Sequence, residues 1–343
     1  MPNDILTRAI DALCAGEHLS ADHTSAVLEE IMQGRASEVQ TGAFLVGLRA
    51  KGETVAELVG LARTMRSLAE PVETGRDDLV DTAGTGGGPS TFNISTTAAL
   101  IAAGAGCVVA KHGNRSATSK CGSADLLEAL GVQVELGPEQ VARCIEETGF
   151  GFMFAPRHHQ ATRHVVPVRK ELGVRTIFNF LGPLTNPAGA GRQVVGVSDR
   201  RYQETIAEAL IGLGCERALV VNADDGTDEL SLWAGNRVIE VRSGGTEEWF
   251  ADPVELGLEA APREAVAGGT PDENAAVTRA VLAGEAGPAR DVAALNAGAA
   301  ILAADAVSDL AAGVGRAQEA LDSGAARGVL ERLVELTTAL AAA

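Results

Sequence analysis

Apolar residues recur at helical spacing through the first part of the chain: Ile5, Leu6, Ala9, Ile10 and Leu13; then Ala26, Val27 and Ile31 after Ser20; then Val39, Ala43, Phe44, Val46 and Leu48; then Val55, Leu58, Leu61 and Met65. A three-to-four-residue period lays each set on one face of a helix. Ser37-x-x-Gln40 and Thr54-x-x-Glu57 read as capping boxes, and Gly16, Gly34 and Gly52 stand where helices would stop. Residues 1–72 are thus expected to form a small α-helical domain with no catalytic constellation of its own.

From Asp77 onward the pattern changes to short apolar runs alternating with helical ones, which predicts a mainly parallel sheet with helices on its faces. Strands are expected at Leu79-Val80, Cys107–Ala110, Val132–Leu136, Phe150–Phe154, Gln193–Val197 and Ala218–Val221. Helices are expected at Pro138–Thr148 and Arg201–Leu213. Leu230–Ala234 and Arg237–Val241 flank Gly235-Asn236, a pairing that predicts a hairpin and so an antiparallel piece. Residues 272–340 are Ala-rich and helical, with breaks expected near 284–288 and at Gly313. Between Arg157 and Gly173 a polar and then helical stretch interrupts the alternation. The expected fold class is α/β: a small N-terminal α-helical domain plus a larger α/β domain with a mainly parallel central sheet and an antiparallel piece.

Candidate chemistry is concentrated between Val80 and Gly131. An apolar lead reaches a turn holding Gly84, Gly86, Gly87 and Gly88, and Asn93, Ser95, Thr96 and Thr97 then open an Ala-rich helix. Glycines let backbone N–H groups approach a ligand, and a helix start carries unpaired donors with partial positive charge, so the arrangement suits an anion such as phosphate. It is neither a Walker A loop, lacking Gly-Lys-Ser/Thr, nor a Gly-x-Gly-x-x-Gly turn, because position 89 is Pro89. A second polar turn, Lys111-His112-Gly113-Asn114-Arg115-Ser116 with Ser119, Lys120, Gly122 and Ser123, follows the next strand. In an open α/β sheet two such turns face one crevice.

Composition narrows the partners. Twenty-eight Lys and Arg against 46 Asp and Glu give a net charge of −18, which disfavours nucleic acid and anionic membranes. Between Lys111 and Arg175, however, nine basic residues face seven acidic ones, and three of the four lysines and four of the six histidines lie there. An anionic substrate is therefore compatible with that stretch alone. Five widely spaced cysteines without a C-x-x-C pair read as reduced thiols, and no zinc-ligand spacing occurs. No basic-then-apolar leader opens the chain and no apolar run is long enough to span a bilayer, so a cytoplasmic protein is expected.

The chain resembles the anthranilate phosphoribosyltransferases. The resemblance is carried by Gly84-Thr85-Gly86-Gly87, Thr91-Phe92-Asn93-Ile94-Ser95-Thr96, Lys111-His112-Gly113-Asn114-Arg115, Gly122-Ser123-Ala124-Asp125, Arg175-Thr176-Ile177-Phe178-Asn179, Leu181-Gly182-Pro183-Leu184-Thr185-Asn186-Pro187 and Asp228-Glu229, in order along nearly the whole chain. It implies transfer of a phosphoribosyl group from phosphoribosyl pyrophosphate (PRPP) to anthranilate, in tryptophan biosynthesis. For PRPP it implies Gly84, Gly87, Gly88, Thr91, Asn93, Ile94, Ser95, Thr96, Lys111, His112, Gly113, Asn114, Arg115, Ser116, Ser119, Gly122 and Ser123. For anthranilate it implies Gly84, Asn114, His159 and Arg169; for Mg²⁺, Ser95, Asp228 and Glu229. It also implies a homodimer through the helical domain, with a segment of about 157–178 returning to that domain and residues 73–156 and 179–343 forming the PRPP-binding part.

Read without the resemblance, Arg169 is a surface arginine on an amphipathic helix and Asp228-Glu229 a solvated acidic turn. The sequence departs from the family where an acidic residue usually follows Gly-Thr-Gly-Gly: here stands Gly88, and the turn is one residue shorter. His158-His159-Gln160 replaces the usual His-His-Pro. The proton lost after C–N bond formation has three candidate acceptors, His112, His159 and a pyrophosphate oxygen. A nucleoside phosphorylase-like enzyme, or a non-catalytic nucleic-acid-binding relative, remains the alternative.

Overall fold

The computed structural model describes residues 2–116, 120–242 and 244–342. Four helices come first: α1 (Asp4–Cys14), α2 (Ala21–Met32), α3 (Glu38–Lys51) and α4 (Val55–Ser67). Ser20, Ser37 and Thr54 each cap a helix start with the side-chain oxygen, and Thr54 with Glu57 closes a full capping box. Ser37 and Gln40 do not: the Gln40 side chain instead binds the backbone of Asn3, tying α3 to the start of α1. Gly16, Gly34 and Gly52 follow helix ends at positive φ, as the spacing predicts.

The remaining elements are β1 (Leu79–Gly84), α5 (Ile94–Gly104), β2 (Val108–Gly113), α6 (Ser123–Leu130), α7 (Pro138–Thr148), β3 (Phe150–Phe154), α8 (Ala155–His158), α9 (Val166–Leu172), α10 (Phe178–Leu184), β4 (Arg192–Gly196), α11 (Gln203–Gly212), β5 (Arg217–Ala223), β6 (Asn236–Arg242), β7 (Gly245–Ala251), α12 (Pro271–Leu282), α13 (Pro288–Ala303), α14 (Leu310–Asp322) and α15 (Ala325–Ala341). The seven strands form one sheet in the order β3-β2-β1-β4-β5-β6-β7. The first five are parallel, while β6 and β7 are antiparallel. The expected fold class is therefore met.

Two apolar layers cover the sheet. Val194, Leu219, Val221 and Val238 pack with α5, α13, α14 and α15 on one face. Their neighbours Val195, Val220, Ile239 and Val241 turn to the other face and join a core continuous with Leu28, Phe44, Leu58 and Leu61 of the N-terminal helices. Each fully buried aliphatic or aromatic side chain contributes about 1.5–3 kcal/mol, so the α1–α4 bundle is fastened to the sheet by the period-two alternation of β4, β5 and β6. Among the described residues no helix is long and apolar enough to cross a membrane.

Three local expectations are corrected. Val132–Leu136 is extended with Val132, Val134 and Leu136 buried, but it joins no ladder; it lies along α15, where Gln133 N–H donates to Thr337 Oγ1. Leu230–Ala234 is not a strand and Gly235-Asn236 is not a hairpin turn. The N–H groups of Leu230 and Ser231 are taken by the side chains of Asn296 and Asn236, and Asn236 opens β6, whose partners are β5 and β7. Gly313 does not break a helix: it lies inside α14 against Gly298 of α13, where a Cβ on either residue would collide with the facing backbone.

Candidate functional site

The chain lays down β1, β2 and β3 in one direction across the sheet and then returns to place β4 on the other side of β1. The helices that follow β1 and β4 consequently pack on opposite faces of the sheet, α5 on one and α11 on the other, at the crevice where open α/β sheets bind ligands. β1 ends at Gly84, paired with Gly196 of β4. The irregular stretch 226–229 lies directly on this pair: a Cβ at Gly84 would collide with the Asp228 carboxylate, and one at Gly196 with the Asp228 carbonyl. The bare backbones at 84 and 196 bring the acidic loop to the strand ends, a function beyond admitting a ligand.

The two carboxylates occupy anion positions. Asp228 Oδ2 accepts from Gly86 N–H at 2.8 Å, and Glu229 Oε1 accepts from Ser95 N–H at 3.0 Å in the first turn of α5. Glu229 Oε2 also takes the Thr91 hydroxyl at 3.2 Å. Burial, followed by the neighbouring charge of Asp228, pushes the Glu229 carboxyl up to about 8, and burial raises Asp228 as well. Two adjacent oxygen ligands that resist simultaneous ionisation fit a hard divalent cation such as Mg²⁺, which takes one or two carboxylates and leaves its other positions to water or phosphate. Among the described residues no cluster of three or more His, Cys, Asp or Glu could hold a metal.

Behind this pair lies Lys111 on β2, fully buried. Its Nζ donates to the Thr82 carbonyl and hydroxyl and lies 3.5 Å from Ser95 Oγ. Burial lowers it to about 8, opposed by the charges of Asp81 and Glu229. Asp81 on β1 accepts from His112 N–H at 3.1 Å and from Asn186 Nδ2 at 2.7 Å, and Asn186 also donates to the Ala110 carbonyl. The quartet sets the register of β1 and β2 beneath the crevice. Asp81 was not singled out from sequence, and Asn186 entered only within the 181–187 run of the resemblance, without a role; the signal was a carboxylate directly after the apolar Leu79-Val80 and an Asn before Pro187.

The second turn leaves β2 at Gly113. Asn93, the N-cap residue of α5, spans both turns: Nδ2 donates to the Cys121 carbonyl and Oδ1 accepts from Asn274. Gly122 N–H donates to Asp125, and a Cβ there would strike the backbone of Arg115 and Ser116. Ser123 opens α6, and Ile94 and Thr96 are buried in the start of α5, where the Thr96 hydroxyl has no partner among the described residues. Gly88 lies against the Gly226 carbonyl. Asn114 Oδ1 accepts from the Arg115 N–H, and Ser116 N–H donates to Asp125. Arg115 is directed to α6, paired with Asp125 and Glu128 and over the Phe154 ring, so its charge is spent on that helix. Ser119 lies outside the described residues.

The returning segment brings in two further candidates. The His159 ring lies 5.0 Å from the His112 ring, and each donates a ring N–H to a carbonyl at the end of α10, His159 Nε2 to Thr185 and His112 Nδ1 to Gly182. Burial lowers His112 to about 3 and His159 to about 4, so both are neutral near pH 7. Arg169, on α9, stacks over the Phe178 ring at 5.2 Å, and its guanidinium makes no hydrogen bond among the described residues. A part-buried guanidinium without an acceptor is a ready partner for a carboxylate.

The helical bundle fastened to a mixed sheet is the two-part architecture of the glycosyl transferase family. The chain matches the glycosyl transferase family's helical bundle domain over residues 7–69 and its a/b domain over residues 76–327. It is 53% identical to the anthranilate phosphoribosyltransferase of Symbiobacterium thermophilum over 95% of this chain and 96% of that one, and 52% identical to that of Rubrobacter xylanophilus over 98% and 99%. Among solved structures it superposes on the Thermus thermophilus enzyme with a TM-score of 0.91 at 49% identity, covering 96% of this chain and 99% of the other. The Saccharomyces cerevisiae enzyme in complex with PRPP and Mg gives a TM-score of 0.89 at 26% identity, over 97% and 98%. The chain belongs to the anthranilate phosphoribosyltransferase family.

Proposed function

We propose that the chain transfers the phosphoribosyl group of PRPP to the amino group of anthranilate, releasing pyrophosphate, with the residue roles set out from the resemblance. The observation that carries this reading is the pair of carboxylate oxygens already resting on the amides of Gly86 and Ser95. Those donors accommodate anionic oxygens at the switch point of the sheet, where a pyrophosphate would bind.

An aryl amine is unprotonated near neutrality, so no strong base is required to make the nucleophile. The chemical burden is the leaving group. The amides of the 84–88 turn, the start of α5 and the Lys111 charge behind Ser95 are fixed before reaction and favour negative charge growing on pyrophosphate as the C1–O bond lengthens; losing one such donor costs about 2.7–4 kcal/mol in other enzymes. Asp228, Glu229 and Ser95 would hold Mg²⁺. Bound there, Mg²⁺ would neutralise phosphate oxygens. Arg169 takes the anthranilate carboxylate, with His159 and Asn114 beside it. His112 and His159 are neutral but weakly basic, which favours a pyrophosphate oxygen as acceptor of the late proton.

The division into a helical domain of residues 1–72 with a returning segment of about 157–178, and a PRPP-binding domain of 73–156 and 179–343, belongs to the same reading, as does a cytoplasmic homodimer. Exposed Ile5 on α1 and Val39 and Val46 on α3 support an interface there; Val39 and Val46 are seven residues apart on one helix face. Loss of anthranilate fluorescence that requires PRPP and Mg²⁺ together tests the function. Product formed only from a nucleoside and phosphate would establish the phosphorylase alternative instead.

A further inference from the structure

We propose that Arg175 is a positioning residue for the pyrophosphate-binding glycine turn, coupling that turn to the helical bundle. The inference rests on the PRPP reading above and adds to it a residue outside the binding set given there.

Four contacts place Arg175 under the turn. Its Nη1 donates to Ser198 Oγ at 3.0 Å, and Ser198 Oγ donates in turn to the Gly86 carbonyl at 2.7 Å. Ser198 N–H donates to Thr85 Oγ1 at 3.1 Å, so one serine on the β4 turn holds both sides of the β1 turn. The guanidinium also packs directly on Gly87: a Cβ there would lie 2.6 Å from Nη1 and 3.0 Å from Cζ. Gly86 and Gly87 are at φ +65° and +85°, a conformation with little intrinsic preference over alternatives for glycine, so outside contacts must choose it.

The other end of Arg175 reaches the helices. Its backbone carbonyl accepts from Arg49 Nη1, on α3, at 2.6 Å. Arg49, Arg175 and Ser198 therefore make a continuous run of polar contacts from the helical bundle to Gly86. Arg175 Nη2 is buried and has no partner among the described residues. A guanidinium nitrogen left without an acceptor is unfavourable, so this side chain is held by packing and by one hydrogen bond rather than by saturation. Next to it lies a cavity of about 240 Å³ shared with Arg49, Glu53 and Tyr202, which leaves the side chain room to follow the turn.

Steady-state kinetics with both substrates test the role in Arg175→Ala, Arg175→Lys, Ser198→Ala and the Arg175→Ala/Ser198→Ala double variant, with thermal midpoints as a fold control. Loss of a charge-assisted contact should raise the KM for PRPP roughly 10- to 100-fold and leave the KM for anthranilate within about threefold. Lysine should recover part of the loss, Ser198→Ala should move the same constant in the same direction, and the double variant should fall short of the sum of the single effects, because the guanidinium reaches the Gly86 carbonyl through the Ser198 hydroxyl. Should Arg175→Ala not fold, Ser198→Ala, which removes one hydroxyl, carries the same comparison. A PRPP KM within about twofold of the parent, an equal rise in both KM values, or additive effects would overturn the proposal. A parent protein inactive with PRPP and anthranilate would overturn the functional reading itself, which separates the two failures.

Discussion

Glu229 accepts the Ser95 amide at 3.0 Å in the opening turn of α5, so the helix start is occupied by a carboxylate of the protein itself. The same oxygen pair is the candidate metal ligand. Binding of pyrophosphate with Mg²⁺ would then exchange one anion for another at these donors while the carboxylate turns to the cation.

Glu229→Gln separates the two roles. The amide oxygen still accepts from Ser95, but the negative charge for Mg²⁺ is lost. The Mg²⁺ concentration giving half-maximal rate should rise by about tenfold or more, the value of a single carboxylate contact of about 1.4 kcal/mol. Superimposable Mg²⁺ titrations of variant and parent would remove Glu229 from the metal site.

Arg169→Ala should weaken anthranilate use far more than PRPP use. A bidentate guanidinium–carboxylate contact is worth about 1.5–3 kcal/mol, or roughly 10- to 150-fold in the anthranilate kcat/KM. Unchanged constants for anthranilate would return Arg169 to the role of a side chain stacked on Phe178.

His112 gives a pH prediction with a definite sign. Its pKa falls from 6.5 to about 3 on folding because the ring is buried, so between those values the unfolded chain binds a proton that the native state excludes. Its contribution to stability is present above pH 6.5 and is lost as pH falls toward 3, by at most about 1.4 kcal/mol per pH unit. Denaturant unfolding of parent and His112→Gln at pH 7, 6 and 5 should show a shallower acid loss in the variant; parallel losses would mean that His112 is not the excluded proton site.

Much of this was legible in the sequence because the signals are local. Period-three-to-four apolar spacing and caps located α1–α4, and glycines before Asn93 and before Asn114 located both turns. What escaped was decided by partners distant in sequence. Leu230 looks like a strand residue until Asn296, 66 positions away, takes its amide. Gly313 looks like a break until Gly298 comes against it from α13. Edge strand β7 is charged and largely exposed, with Trp249 and Phe250 as its only large apolar residues, so it carries no buried alternation to reveal it. Within the site, the roles of Asp81 and Asn186 escaped because their task is to join β1 to β2, which no single stretch expresses.

Val39→Asp probes the proposed homodimer. Val39 is 83% exposed on α3, so a charge there has no native packing to disturb within one chain. Thermal stability of the monomer unit should be retained while the molecular mass measured by light scattering falls from dimer to monomer at micromolar concentration. A parent that is monomeric, or a variant that remains dimeric, would place the contact elsewhere.

Gly88 stands where the resemblance leads one to expect an acidic residue, and the structure changes what a substitution there would report. A Cβ at this position would collide with the Gly226 carbonyl and lie 3.3 Å from Thr227 Cα and 3.4 Å from Asp228 Oδ1. This turn, stiffened by Pro89, is thus packed directly on the loop that carries the two carboxylates among the candidate metal ligands. Restoring an acid by Gly88→Asp adds a charge beside Asp228, but it first forces that loop outward. Gly88→Ala applies the same push without the charge. If sterics dominate, both variants should raise the KM for PRPP and the Mg²⁺ requirement by similar factors, roughly tenfold for a displaced ligand contact of about 1.4 kcal/mol. A silent Gly88→Ala with an altered Mg²⁺ titration in Gly88→Asp would show that charge, rather than space, is what position 88 controls.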